Sequence, residues 1–242
     1  MVDLPLSGRT AVVTGAAVRI GRAIALGLAA RGADIALHYH SSEAAALRTA
    51  EEIRALGRRC LPVSADLQNP SSPAKILEAV GAFFGRADIL INSAAVFETG
   101  TLAETTPELW EKTIAINLRT PFFLCKAFAA QTDSGDIINL TDATADRSGA
   151  KYLAYSLTKI ALIAFTRDLA KSLAPGIRVN AVAPGAILPP PGQGEDYLDR
   201  LVSRIPLGRH GSPEDIVGGV LYLLAAPYVT GEILHISGGS DL

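Results

Sequence analysis

Apolar residues fall into two alternating patterns along the chain. Short runs rich in β-branched residues, Thr10–Thr14, Ile35–His38, Cys60–Ser64, Ile89–Asn92, Ile137–Leu140, Val179–Ala183 and Ile233–Ile236, read as strands. Between most of them lie longer stretches that read as helices, the most regular running from Leu153 to Leu173. Thr106-Pro107, Ser212-Pro213 and Ser72-Pro73 each offer a hydroxyl for the N-cap and a proline for the first helical position. The strands are apolar throughout, as expected when helices cover both faces of a sheet. Strand and helix in alternation predict a single-domain α/β fold, a doubly wound parallel sheet of about seven strands. No repeat or linker divides the 242 residues. Ligands of such sheets bind beyond the carboxyl ends of the strands, so the loops of interest follow Thr14, His38, Ser64, Asn92, Leu140 and Ala183. The longest irregular stretch, 185–195, makes 185–205 a candidate substrate-binding loop or lid.

Composition narrows the classes of partner. Charged residues such as Arg22, Arg31, Asp34, Lys112, Arg119 and Lys126 interrupt every apolar tract, so no membrane span is expected. The start, M-V-D-L-P-L-S-G-R-T-A-V-V-T-G, shows no secretory pattern, and cytoplasmic placement is the default expectation. A net charge of −2 and a pI near 6.1 give no general attraction to nucleic acid or anionic lipid. Cys60 and Cys125 have no partners at metal spacing and read as core residues, so no metal site is expected.

Tyr155 and Lys159 in Y-S-L-T-K share one helix face. At ~4–5 Å and an effective dielectric of ~20, an ammonium favours the phenolate by about 3–4 kcal/mol. That attraction predicts a tyrosine pKa lowered toward neutrality and a useful proton donor. Directly after the first strand, T-G-A-A-V-R-I-G places Gly15 and Gly21 around a turn into a helix, where free N–H groups and small residues suit a pyrophosphate. Arg19 stands where a middle glycine is often found and brings a cationic fork suited to phosphate. The second strand ends in L-H-Y-H-S-S with no carboxylate to repel a 2′-phosphate, which favours NADP over NAD. Ser41 and Ser42 also suit the cap of the following helix.

Together, the turn at 14–21, Asp66, Asn92, Asn117, the Tyr155/Lys159 pair and Pro184-Gly185 resemble the short-chain dehydrogenase/reductases over nearly the whole chain. The resemblance implies a Rossmann-like fold, hydride transfer with NADPH, and a homotetramer. It implies Tyr155 as proton donor, Lys159 as its partner and Asn117 as the holder of a relay water. Pro121 lacks the N–H that the Asn117 carbonyl would otherwise accept, leaving that carbonyl open to water, whether residues 107–130 form one helix or two meeting near Arg119. By the same resemblance the dinucleotide lies against Gly15, Arg19, Ile20, Gly21, His38, Tyr39, His40, Ser41, Asp66, Leu67, Asn92, Ala94, Tyr155, Lys159, Pro184 and Gly185.

Two departures point further. Thirteen residues before the tyrosine, where most of the family has serine, stands Asp142. A carboxylate there opposes a developing oxyanion and suits a protonatable nitrogen, as in an imine. The chain is in this respect similar to the pteridine reductases, as it is in T-G-A-A-x-R-x-G, H-Y-H-x-S and the aromatic Phe97. That similarity implies a pterin site lined by Arg19, Phe97, Asp142 and Tyr155, with Asp142 assisting proton delivery. Phe97 also fits a core position, Asp142 a loop cap, and Thr141 a displaced substitute for the serine. Ala95 stands where those enzymes often offer a serine to the ligand. The expectation is an NADPH-dependent reductase of dihydrobiopterin, dihydrofolate or dihydromonapterin; the alternatives are a 3-oxoacyl thioester reductase and a non-catalytic dinucleotide-sensing module.

Overall fold

The computed structural model describes residues 5–147, 150–190, 192–194 and 196–242. The first four residues, and Pro191 and Glu195 of the expected lid, therefore lie outside the described residues. The elements run β1 (Thr10–Val13), α1 (Arg19–Ala30), β2 (Asp34–Tyr39), α2 (Glu43–Ala55), β3 (Cys60–Ser64), α3 (Ser72–Phe84) and β4 (Ile89–Asn92). They continue with α4 (Pro107–Ile114), a π-helical segment (Ala115–Arg119), α5 (Thr120–Ala129), β5 (Gly135–Leu140), α6 (Leu153–Leu173), β6 (Ile177–Pro184), α7 (Asp196–Val202), α8 (Pro213–Ala225) and β7 (Ile233–Ile236). The seven strands form one parallel sheet in the order β3-β2-β1-β4-β5-β6-β7. The chain winds outward from β1 to β3, then restarts at β4 on the other side, so the crevice between the ends of β1 and β4 is the topological switch point.

Strand alternation splits the core into two layers. Ala11 and Val13 of β1 join Ile24 and Leu28 of α1, Ile53 of α2 and Val220 of α8 on one face. Val12 faces the opposite way, with Leu77 and Val80 of α3 and Leu124 and Phe128 of α5. Cys60 and Cys125 are buried, and burial pushes their thiols up to about 11 and about 12, so both act as small apolar residues. Among the described residues no helix is long and apolar enough to cross a membrane, and no acidic, histidine or cysteine cluster could hold a metal.

The helix starts are mostly where capping chemistry places them. Thr106 accepts from the Leu109 N–H, and Ser212 forms a reciprocal capping box with Asp215. The third start is displaced by one residue: Ser71 is the N-cap, and the Ser72 hydroxyl instead donates to the Asp66 carbonyl at 2.6 Å. Ser42 is the N-cap of α2 but makes no side-chain cap bond.

The region 107–130 is neither one regular helix nor two separate ones. Residues Ala115–Arg119 wind as a π-helix between α4 and α5, directly before Pro121, and the Thr120 N–H reaches back to the Ala115 carbonyl. The missing donor at Pro121 and the wider turn coincide, and Asn117 sits inside that turn.

Arg178 ties the far end of β6 to the end of α8. Its guanidinium donates to the carbonyls of Leu223, Ala226 and Val229 at 2.8–2.9 Å and of Leu224 at 3.1 Å, and pairs with Asp136 at 2.5 Å. Arg9 meets the other oxygen of the same carboxylate at 2.6 Å.

Candidate active site

A cleft of about 550 Å³ opens at the carboxyl ends of the strands, lined by the segments after β1 to β6. Its floor is the turn after β1. Gly15 has φ +65° and lies against Ala94, while a β-carbon on Gly21 would collide with the Gly15 carbonyl oxygen. Both positions therefore need glycine, and the close packing lets the turn enter α1 tightly. Val18, the N-cap of α1, has no side-chain acceptor for the first N–H groups of the helix, which suits an anion arriving from the cleft. Thr14 braces the turn: its hydroxyl accepts from the N–H groups of Ser93 and Ala94 at 2.9 and 3.0 Å and donates to the Ile91 carbonyl.

Arg19 adopts φ +57°, the left-handed conformation that glycine favours, and is the single non-glycine residue with positive φ among the described residues. Its guanidinium leans over the cleft and donates to the Pro189 carbonyl at 2.7 Å, joining the turn to the candidate lid. The segment beyond β6 is less irregular than its proline and glycine content implies, because α7 occupies Asp196–Val202.

The expected cofactor residues divide. Gly15, Arg19, Ile20, Gly21, His38, His40, Ser41, Asp66, Leu67, Ala94, Tyr155, Lys159, Pro184 and Gly185 all line the cleft. Tyr39 does not: strand alternation turns His38 and His40 toward the cleft and sends Tyr39 into the core. Nor does Asn92, which ends β4 in register with Asn139 and donates to its side-chain oxygen at 2.8 Å beneath the sheet. The cleft begins one residue later, at Ser93. His38 lines the floor but is 2% exposed, with both ring nitrogens engaged by protein groups.

Asn117 is buried away from the cleft wall. Its amide nitrogen donates to the Val96 carbonyl at 3.0 Å and the Thr158 hydroxyl at 3.3 Å, and its oxygen accepts from the Val96 N–H at 2.9 Å. The side chain clamps the loop after β4, leaving any role toward water to its backbone.

At the deep end stand Asp142, Tyr155, Lys159 and Phe97. Asp142 Oδ1 accepts from the Thr144 N–H at 2.7 Å and the Thr144 hydroxyl at 3.0 Å, a local turn that fixes the carboxylate. Oδ2 then accepts from the Tyr155 hydroxyl at 2.8 Å. Asp142 thus both caps its loop and reaches the phenol. Thr141 lines the cleft, but its hydroxyl donates to the Val182 carbonyl at 3.2 Å and is not a free serine substitute.

The expected lowering of the Tyr155 pKa is reversed. Burial raises it well above the ordinary tyrosine value, and the charge and hydrogen bond of Asp142 raise it further. The Lys159 ammonium sits 5.7 Å from the ring centroid and donates to the Leu140 carbonyl at 2.6 Å. The carboxylate in direct contact outweighs the more distant cation. Burial lowers Lys159 itself to about 8, against the opposing pull of Asp142.

Phe97 is no core residue: it is 36% exposed and lies edge-on to Tyr155 with centroids 4.6 Å apart. Its face is stacked on Tyr152 at 4.4 Å and 11°. Sequence reasoning missed Tyr152, whose signal was only an aromatic residue one helical turn before Tyr155. A short bridge sews the two segments together, with the Gly100 N–H donating to the Lys151 carbonyl and the Leu153 N–H to the Gly100 carbonyl.

A tight glycine turn at one end of a switch-point cleft, and a buried phenol and ammonium beside a part-buried carboxylate at the other, define a dinucleotide-dependent oxidoreductase. The sequence matches the family described as enoyl-(acyl carrier protein) reductase over residues 15–241. It is 34% identical to a 3-oxoacyl-[acyl-carrier-protein] reductase of Synechocystis, covering 97% of each chain. A blue fluorescent protein from a metagenomic library, solved with NADPH, superposes with a TM-score of 0.92 at 38% identity, covering 99% of this chain and 100% of that one. A short-chain dehydrogenase of Burkholderia cenocepacia, solved with NADP, gives 0.94 at 33%, again with 99% and 100% covered. The chain belongs to the short-chain dehydrogenase/reductase family.

Proposed function

We propose that the chain is an NADP(H)-dependent reductase whose substrate is a flat heterocycle with a C=N bond, a dihydropterin such as dihydrobiopterin, dihydrofolate or dihydromonapterin. The observation that carries this reading is the 2.8 Å bond from the Tyr155 hydroxyl to Asp142 Oδ2. A fixed carboxylate beside the proton donor opposes negative charge growing on a ketone oxygen. A ring nitrogen that is protonated as it is reduced develops no such charge. Phe97, 36% exposed, offers aromatic surface at the same end of the cleft.

The residues fit the dinucleotide: the turn and the start of α1 suit its pyrophosphate, and His40 and Ser41, with no carboxylate at the tip of β2, suit a 2′-phosphate. The reduced nicotinamide, when bound, supplies the hydride. Lys159 holds its ammonium between the Leu140 carbonyl and the Tyr155 ring. Tyr155 stays protonated across the working pH range and serves as the proton donor. The same family resemblance carries the homotetramer, and the exposed apolar side chains Phe122, Phe123, Leu157 and Ile160 on α5 and α6 give it a surface.

A second reading, reduction of 3-oxoacyl thioesters, is supported by the relative that carries that activity in its name. NADPH oxidation with dihydrobiopterin, dihydrofolate and acetoacetyl thioester separates the readings. Pterin turnover is expected; turnover of the thioester alone supports the second reading, and tight NADPH binding with no turnover supports a sensing module. In the Asp142→Ser variant, pterin turnover is expected to fall roughly 10²-fold while thioester turnover rises. Unchanged pterin turnover in that variant removes the carboxylate from the mechanism.

The lowered Lys159 gives an alkaline limb. kcat/KM reports ionisations of the free enzyme, so it is expected to fall with a midpoint of about 8 as the ammonium is lost. Stability moves the other way: a lysine of ordinary pKa 10.5 when unfolded and about 8 when folded makes the fold more stable as pH rises between those values. Activity and thermal unfolding measured together from pH 6 to 10 check both signs; a flat kcat/KM profile contradicts the role of the charge.

A further inference from the structure

We infer that His38 is a positioning residue for the dinucleotide: a neutral imidazole strut that holds the phosphate turn and the loop after β3 at a fixed separation, and lets them go when it gains a proton. The inference rests on the dinucleotide reading of the cleft and on nothing about the substrate.

His38 lies on β2 between two loops that both face the cleft. Its Nδ1 lies 3.2 Å from the Gly15 nitrogen, and its Nε2 lies 3.0 Å from the Ala65 carbonyl oxygen. An N–H group can only donate and a carbonyl oxygen can only accept, so the two contacts together admit one tautomer. Nδ1 must carry the lone pair and Nε2 the proton. Gly15 is the φ +65° residue of the phosphate turn, and Ala65 precedes Asp66 and Leu67, which line the other side of the same cleft. One ring, 2% exposed, therefore bridges the two walls, beside the backbone bonds from Ala16 to His38 and from Ala65 to Tyr39.

Protonation puts a second N–H on the ring, pointing at the Gly15 N–H. Two donors then face each other in a buried place, and relief requires the turn to withdraw. The charged or titratable groups that line the cleft nearest in the chain to the elements holding the ring are His40 directly after β2, Asp66 from the loop after β3 and Arg19 from the turn after β1. Of these, His40 opposes a charge on His38. Burial holds His38 below the usual histidine value, the Ala65 bond pulling the other way and His40 adding to the lowering. A base lowered in the folded state keeps its stabilising bond above the ordinary value of 6.5 and loses it as pH falls from there through the folded value.

The family resemblance places this imidazole in contact with the dinucleotide. The geometry leaves that contact to His40 and Ser41 and gives His38 a part that does not depend on the phosphate. NAD, which lacks the 2′-phosphate and its own ionisation at pH ~6, should still show the acid response.

The test uses the full chain and the oxidised dinucleotides, which survive acid. Nitrogen-detected NMR of the four histidines at pH 7.5 is expected to show His38 neutral, with the proton on Nε2. Calorimetric titration is expected to give an NAD⁺ affinity that is constant between pH ~6.5 and ~7.5, below the loss of the Lys159 charge. Below the pH at which NMR shows His38 protonating, the NAD⁺ affinity should fall by about tenfold per unit, the slope of one proton, and the NADP⁺ affinity at least as steeply because its 2′-phosphate also ionises there. His38→Asn keeps an acceptor for the Gly15 N–H; it should bind NAD⁺ more weakly at pH ~7.5 and show a flat acid profile with NAD⁺. His40→Asn, which removes the neighbouring histidine, should keep the acid response to NAD⁺. A proton on Nδ1, a charged His38 at pH 7.5, or parallel acid profiles in the native protein and His38→Asn overturns the inference. If the variant does not fold, the midpoint of affinity loss in the native protein must match the NMR midpoint of His38, and a mismatch overturns it equally. Failure of NADP⁺ to bind at any pH overturns the dinucleotide reading as well, whereas binding that ignores the state of His38 overturns this inference alone.

Discussion

Tyr155→Phe is expected to lower turnover by about 10²–10⁴-fold while leaving NADPH affinity unchanged. Among the described residues the hydroxyl hydrogen-bonds to Asp142, and the carboxylate keeps both of its bonds to Thr144 when the phenol is gone. The ring keeps its edge contact with Phe97, and Lys159 keeps the Leu140 carbonyl. The variant should therefore fold, bind the dinucleotide and lack only the proton. Single-turnover NADPH oxidation alongside NADPH titration checks this, and a fully active variant refutes Tyr155 as donor.

Arg178→Met is expected to cost the fold roughly 3–5 kcal/mol, the range for breaking a mostly buried ionic network by removing one partner. Four carbonyls at and beyond the end of α8 lose their donor, and Asp136 keeps Arg9 alone. At this chain length each kcal/mol moves the midpoint of thermal unfolding by about 2–4 °C, so a fall on the order of 10 °C is expected. Circular dichroism melts at pH 7 measure it. A shift within a degree or two would mean that water replaces the guanidinium at no cost. The cleft is remote from this junction, so kcat/KM well below the melt should change little.

The sheet was legible because its strands are short β-branched runs, largely buried in the five central strands and part-exposed at the edges β3 and β7, and all seven runs are strands in the structure. Helix α6 was legible to the residue from its apolar spacing. The errors in the site come from local geometry that motif spacing does not encode. Tyr39 lies between two cleft residues in sequence yet points to the other face of a strand. Asn92 ends its strand one residue before the cleft and finds an amide partner, Asn139, that is 47 positions away. The Tyr155 pKa is misread from spacing because helical periodicity reveals Lys159 but neither the burial of the phenol, the larger cause, nor its direct bond to Asp142 from the loop after β5. Arg178 carried no sequence signal, since its four carbonyl partners are backbone groups. The substrate is the least legible part, because Asp142, Phe97 and Tyr152 meet only after three separate segments have folded.

The wide turn at Ala115–Arg119 amounts to one residue more than an ordinary helix would hold. Deleting any one residue there would close the wide turn locally and move the side chains within it out of register, while the helices on either side kept their faces. Asn117 would then swing off Val96 and Thr158, and the loop that carries Phe97 would lose its anchor. Length variation among descendants of this gene should accordingly gather at the outer bend near Leu102, which is 82% exposed, and spare those five positions.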